Sequence, residues 1–540
     1  MDVNGALRDA VPIEKAKGQA VFEDVIRARI DPGLLEVTQG NNFKLRVYPI
    51  PAQGTKRVVI QVAQTLDSVR GQSFYQLPLG FGERVATLVL SVNINGSDKA
   101  PEVGKNSFGD IAFTRDTFGS RYRLRESRNN FTGSGSIEFM LMPSNTASAV
   151  QTELFEGKHY FVADIPLAMR EAAREIPKSV GLIWDSSASA RTRSGDGALE
   201  AALLDAYFKK MRDGVVRLTR IRDAAEPAQT FRIVNGDWRA LREALAATAY
   251  DGATNLGAFV PEASVREYLL FSDGLSNFGE QPFAQTRVPL YSISASVKTD
   301  PVFLKHIAQR SGGHFIDLTK ETTTSAAHAL LSTATRVVEI SSADASQLVM
   351  TSLQGDRIQV AGILSGNNRG NGNLGGKDRS ENMQAMLQLK LQHPDSQLEN
   401  RDIPINAVLS EENSPTVRSN MSTTASTWAQ LRINELDAEY ALNRAEIRRL
   451  GQRFGLVTRE TSLIILDRVE DYARYEIQPP SELRAEFDRV LGTISKQRRI
   501  AQNSHLENIV RAFTQKVAWW NRDYPKDSML ERKTDKHSQR

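Results

Sequence analysis

From Lys178 to Leu318 the chain alternates short apolar runs with amphipathic stretches, and this alternation constrains its fold more than any other feature. Gly181-Leu182-Ile183-Trp184 and Tyr268-Leu269-Leu270-Phe271 read as strands buried on both faces. Leu290-Tyr291-Ser292-Ile293 and His314-Phe315-Ile316-Asp317-Leu318 continue the series, and Val215–Leu218 and Phe231–Ile233 read as further strands. Between them the spacing predicts a helix from about Gly197 to Arg212, with Leu199, Leu203, Ala206 and Tyr207 on its buried stripe. Two more helices are expected over Trp238–Ala247, with Asp237 as N-cap, and over 301–310. Strands and helices in this rhythm predict a doubly wound, mostly parallel sheet over 177–338.

Three polar turns stand at or near the strand ends: Asp185-Ser186-Ser187-Ala188-Ser189, Asp251-Gly252-Ala253-Thr254-Asn255 and Ser272-Asp273-Gly274. In an open α/β sheet such loops converge beyond the carboxyl ends of the strands. Carboxylates mixed with hydroxyls are oxygen-only donors, suited to a hard cation that keeps several waters. The order D-x-S-x-S, then Thr in a Gly-containing turn, then S-D-G resembles the metal-ion-dependent adhesion site of von Willebrand factor type A domains. The resemblance implies metal ligands at Asp185, Ser187, Ser189, Thr254 and Asp273, the last acting through a water. It implies Mg²⁺ or Mn²⁺ ahead of Ca²⁺, because two carboxylates enclose Ca²⁺ poorly. The open coordination position would take an Asp or Glu carboxylate of a protein partner. The competing reading is an ordinary strand-to-helix turn in which Asp or Ser caps the next helix.

The flanks change period. Residues 14–30 place Ala20, Val21, Val25 and Ile26 on one helical stripe that Asp31-Pro32-Gly33 stops. Phe43–Tyr48 and Arg57–Val62 alternate as the two arms of a hairpin, and strands are expected at 85–94 and 136–142. Asp31-Pro32-Gly33-Leu34-Leu35-Glu36, Phe43 through Pro51, and Tyr160-Phe161 before Asp164-Ile165-Pro166 resemble the vault/inter-alpha-trypsin (VIT) domain. The resemblance covers residues 1–168 and implies a β-sandwich lacking its first strands. It also implies a second β-sandwich over 339–412, where Arg357–Val360 and Met386–Leu391 alternate around a Gly/Asn-rich loop from Gly366 to Gly376. A helical region is expected over 425–540: one long helix from Trp428 to Phe454, a strand at 461–467, helices starting at Ser481 and Ser504, and a charged tail. Trp519-Trp520 is expected to pack against that helical region. Together the family resemblance is to chains of the inter-alpha-trypsin inhibitor heavy chain type, here in a bacterial idiom.

Composition narrows the function classes. Length of 540 residues suggests three or four domains, and a formal charge of +4 on that length gives no nucleic-acid footprint. With no cysteine, disulfides, thiol catalysis and cysteine-based zinc sites are excluded. No run approaches a membrane span, and the charged first thirty residues form no signal peptide. The expectation is a cytoplasmic chain as it stands, or an envelope or secreted one if it is truncated. His306 and His314 fall in no ligand or triad pattern, and G-x-S-x-G, H-E-x-x-H and P-loop signatures are absent. Three readings stand in this order: a metal-dependent protein-binding module, a scaffold in which the metal only stabilises, and a metal-assisted hydrolase. No enzyme activity is expected.

Overall fold

Six strands form the sheet between residues 179 and 317: β1 (Ser179–Asp185), β2 (Gly214–Ile221), β3 (Gln229–Ile233), β4 (Glu267–Phe271), β5 (Leu290–Ser294) and β6 (Phe315–Asp317). Their spatial order is β3-β2-β1-β4-β5-β6. All neighbours are parallel except β2 and β3, which pair as an antiparallel edge. Four helices accompany them: α1 (Ala198–Met211), α2 (Arg239–Ala246), α3 (Pro301–Ser311) and α4 (Thr323–Leu331). Strand residues alternate between two cores, as period two requires. Val180, Leu182 and Trp184 pack with Leu203 and Tyr207 of α1, Leu241 of α2 and Leu330 of α4. Ile183 packs instead with Leu304 and Ala308 of α3. Asp300 accepts a hydrogen bond from the Phe303 N–H at 3.0 Å, so α3 starts on an N-cap followed by proline.

The computed structural model describes residues 1–523 apart from 4, 29–31, 39–41, 51, 64–65, 70–71, 96, 98, 116–120, 143–148, 193–196, 280, 297, 352–355, 366–380, 410–422 and 438. Asp31 and Pro51 of the N-terminal pattern, the Gly366–Gly376 loop and the tail from Tyr524 lie outside the described residues. The chain divides into two compact units, one of residues 36–44 and 60–462, the other of 1–35, 45–59 and 463 onward.

In the larger unit, strands over 67–141 form two sheets around Leu79, Leu90, Phe108, Leu124, Ile137 and Phe139. The strands Ala149–Phe155 and Lys158–Pro166 do not belong with them. They pair through Lys158–Pro166 with Arg357–Leu364, from the far side of the α/β region. Phe161, Ala163 and Ile165 then face Leu387, Leu389, Leu391, Ile403 and Ile405 of the sheet formed by residues 336–409. The second sandwich is therefore built from both sides of the α/β region and not from 339–412 alone. The expected boundary at 168 shifts accordingly, because Lys158–Pro166 finds its hydrogen-bond partner about 190 residues on. The opposite face of this sheet, Tyr160, Val162 and Ile363, packs on α5 (Thr423–Asp437) and α6 (Tyr440–Phe454) through Trp428, Ile433, Leu450 and Phe454. Two helices thus replace the one continuous helix expected over 428–454. Asn443 donates to the carbonyls of Leu436 and Glu439, both at 3.1 Å, and satisfies the groups exposed at the break.

The strands Val11–Glu14, Thr461–Ile465, Gly33–Thr38 and Asn42–Val47 form one sheet in that order, most of it within the smaller unit. The expected hairpin does not form: Asn42–Val47 takes Gly33–Thr38 as its partner, and 57–62 forms no strand, with Val62 77 % exposed. Period two reports a strand's faces, not which strand lies beside it. Leu34, Ile464 and Leu466 share a core with Val21, Phe22 and Val25 of the helix Lys15–Arg27 and with Tyr472. A single helix, α7 (Arg484–Asp523), replaces the two expected to begin at Ser481 and Ser504. Nothing in Arg498-Arg499-Ile500-Ala501-Gln502-Asn503 breaks a helix, so one isolated serine starts none. Trp519 and Trp520 are exposed at 44 and 47 %, not packed in a core. No helix among the described residues is long and apolar enough to cross a membrane.

Candidate metal centre

β1 and β4 are adjacent and parallel, with Leu182 opposite Leu269 and Trp184 opposite Phe271. The chain leaves β1 in one direction, to β2 and β3, and returns to β4 on the other side. Sheet order therefore reverses between them, and their carboxyl ends are the place where an open α/β sheet offers its crevice. Asp185 is the last residue of β1, and Asp273 follows β4 by two residues.

The side chains there are joined oxygen to oxygen. Asp185 is fully buried, its Oδ1 accepting from the Ser187 N–H at 3.0 Å and its Oδ2 from the Ser272 hydroxyl at 2.6 Å. The hydroxyls of Ser187 and Ser189 lie 3.1 Å apart, and Ser189 Oγ donates to Asp273 Oδ2 at 2.9 Å. Asp273 is held from three directions: Oδ1 accepts from the Leu275 N–H at 2.9 Å, and its carbonyl from Thr299 Oγ1 at 3.0 Å and the Asp300 N–H at 2.7 Å. Four of the five residues named from the sequence thus form one hydrogen-bonded chain.

The loop that carries Thr254 is tied to the same turn. The Ala188 N–H donates to the Gly252 carbonyl and the Asp251 N–H to the Ser186 carbonyl, each at 3.2 Å, tying that loop to the turn after β1. Thr254 is buried, and its backbone is clamped by Asn277: the Thr254 N–H donates to Oδ1, and the Asn277 N–H to the Thr254 carbonyl, both at 2.9 Å. Gly274 sits at φ +75° with the position of a Cβ only 2.8 Å from Leu304 Cγ, so this turn admits glycine alone without rearrangement.

Positioning residues such as Asn277 and Thr299 were not legible in the sequence. Asn277 acts on a residue 23 positions away, and no local pattern carries that pairing. Glu200 was also missed. It is buried in the first turn of α1 and lines, with Ala190, Asp273, Ser294 and Ser296, a cavity of about 10 Å³, room for one water. A lone acid within an apolar helical stripe was the signal. Among the described residues no group of three or more His, Asp or Glu is placed to hold a metal, so any ion here would rest on two carboxylates and hydroxyls.

Neither histidine takes part. His306 lies on α3, and His314 precedes β6, at the opposite end of the sheet from these loops. Burial, reinforced by the Arg174 charge, pushes His314 down to about 4. At that opposite end Arg174 grips Glu267 with two hydrogen bonds, at 2.5 and 3.0 Å, while Tyr207 donates to the same carboxylate at 2.6 Å.

No family model matches this chain, and no curated protein matches it by sequence. Solved structures do. One is the ArnB paralogue VWA2 from Sulfolobus acidocaldarius, at 10 % identity and TM-score 0.26, covering 63 % of this chain and 93 % of that one. A second is a von Willebrand factor type A protein from Catenulispora acidiphila, at 14 % and 0.28, covering 58 and 88 %. A third is the manganese-loaded TRAP protein of Plasmodium vivax, at 11 % and 0.20, covering 44 and 96 %. Von Willebrand factor type A domains thus recur among the similar structures. At these scores the functional reading rests on the sheet order and the loop geometry, not on the likeness.

Proposed function

We propose that residues 177–338 are a doubly wound von Willebrand factor type A domain whose metal-ion-dependent adhesion site binds Mg²⁺ or Mn²⁺ and, through it, an Asp or Glu carboxylate of a protein partner. The flanking β regions would be of VIT type, as in the inter-alpha-trypsin inhibitor heavy chains. The observation that carries the reading is the oxygen chain Ser187–Ser189–Asp273 beside Asp185 in the switch-point crevice. The 3.1 Å between the Ser187 and Ser189 hydroxyls suits adjacent ligands of a small octahedral ion, whose bonds near 2.1 Å set neighbouring oxygens about 3.0 Å apart, and Ser189 in turn fixes Asp273 beside them. Ca²⁺, with longer bonds, would need the loops to spread.

Asp185 supplies charge, held in place by the Ser187 N–H and the Ser272 hydroxyl. Ser187, Ser189 and Thr254 supply neutral oxygens, and Asp273 acts through a water. A bound ion with so few protein charges remains electrophilic and attracts an outside anion. Recognition, not hydrolysis, is the function this supports, since a hydrolase also needs a poised acid or base and neither His306 nor His314 joins the site.

Calorimetry of the full chain tests the reading. Wild type should take up one Mg²⁺ or Mn²⁺, and Asp185→Ala should take up none while keeping its circular dichroism. The variant's fold should lose about 1–3 kcal/mol, as Ser272 and the Ser187 N–H lose their acceptor. No uptake by wild type at millimolar ion would leave the crevice as a capped turn within a scaffold.

A further inference from the structure

The first turns of α7 are packed. Phe487, Val490, Leu491 and Ile494 join the core around Leu34, Leu466 and Tyr472. From Arg499 to Arg522 every residue is exposed. Within that stretch Leu506, Val510, Phe513 and Val517 recur at intervals of four, three and four, exposed at 58, 61, 68 and 41 %. Trp520 continues the interval and Ile509 lies beside it. At roughly 100° per residue these side chains fall in one stripe about 100° wide and about 20 Å long. Exposed apolar surface gathered in this way marks an interaction face.

Charge decides among occupants. From Lys496 to Asp523, six basic residues (Lys496, Arg498, Arg499, Arg511, Lys516, Arg522) stand against Glu507 and Asp523, so 6 − 2 gives +4. Two copies of this helix laid side by side would set like charges against each other, with few acids to pair them. An anionic surface attracts the same charges, and long basic side chains reach its headgroups from a helix lying flat. Aromatic residues on the stripe suit the headgroup boundary.

We infer that the Leu506–Trp520 face of α7 docks on an anionic lipid bilayer, with the helix axis parallel to the surface. The helix lies on the membrane, since no stretch of it is apolar enough to cross. Apolar burial supplies the adhesion, and the basic residues supply the preference for negative lipid.

Flotation of the full chain with phosphatidylcholine vesicles, alone or with roughly a third phosphatidylglycerol, tests this. Wild type should float with the anionic vesicles, less so at high salt, and stay behind with the neutral ones. Val510→Ser/Phe513→Ser should weaken anionic-vesicle binding at least about tenfold, with circular dichroism unchanged because both side chains face solvent. Arg511→Glu/Lys516→Glu should weaken it while preserving the apolar stripe. Absence of binding to anionic vesicles, or equal binding by the serine variant, overturns the inference. So does a dimer by light scattering that the serine variant dissolves while vesicles go unbound, since the face then belongs to a second copy.

Discussion

Replacing Glu267 with alanine should be among the most damaging single changes in the α/β region. Arg174 and Glu267 expose 9 and 3 % of their side chains, so this ion pair sits almost entirely out of water. Glu267 accepts two hydrogen bonds from the guanidinium and one from Tyr207, while Arg174 Nε donates to the Leu330 carbonyl at 2.6 Å. Burial alone would push the guanidinium down, yet the Glu267 hydrogen bond and charge hold it above its ordinary value. Burial, and then the Glu267 charge, lift the Tyr207 hydroxyl well above its own. Glu267→Ala leaves a buried cation without its counter-ion and a phenol without its acceptor. Losing one partner of a buried pair costs about 3–5 kcal/mol. Arg174→Met/Tyr207→Phe/Glu267→Leu removes the whole cluster and should stay within about 1–2 kcal/mol of wild type, despite the Leu330 carbonyl it strands. With two compact units in the chain a single melting temperature is ambiguous. Amide exchange at Tyr268–Phe271 reads the free energy of this sheet alone. If Glu267→Ala lowers it by less than about 1 kcal/mol, or the triple variant by as much as the single, the cluster is not what holds this end of the sheet.

Two further outcomes rest on the same kind of geometry. Burial would raise the Glu460 carboxyl, but hydrogen bonds from Tyr440, Arg448 and Arg444 bring it down to about 2. Its stabilisation is therefore complete above the ordinary value of 4.5 and lost as pH falls from there toward 2; with Arg444 and Arg448 open to water, screening leaves about 1–2 kcal/mol of it. Acid unfolding followed by circular dichroism should be shallower in Glu460→Gln between pH 5 and 2, and superimposable curves would refute the assignment. The α/β region cut at 177–338 lacks Arg174 and the strand Glu171–Ala173, which pairs with Ser332–Ala334. A piece starting near 168 should be about 3 kcal/mol more stable by urea unfolding, and equal stability would show that the upstream strand contributes nothing.

How much of this the sequence disclosed depended on the range over which each signal acts. Gly181–Trp184 and Tyr268–Phe271 are apolar throughout because helices cover both faces, so their neighbours in the chain revealed them. Asp185, Ser187 and Ser189 lie within one turn, and their shared direction is a local matter. The sandwich was hidden for the opposite reason. Alternation in Lys158–Pro166 states that one face is buried but not that Arg357–Leu364 lies alongside. The break before Tyr440 carries neither glycine nor proline in the described residues. It is set by Asn443 capping two carbonyls and by the packing of Trp428 and Phe454 on one sheet face.

That shared sandwich also fixes how load would travel. The α/β region enters and leaves through Glu171–Ala173 and Ser332–Ala334, paired antiparallel, and both continue into strands of the same sandwich. Under the proposed function, a partner pulling there would be resisted by two covalent tethers in parallel, each carrying part of the tension, where a domain strung on a single linker has one. The paired tethers also oppose swivelling, so the crevice keeps a fixed aim relative to the sandwich while it is pulled.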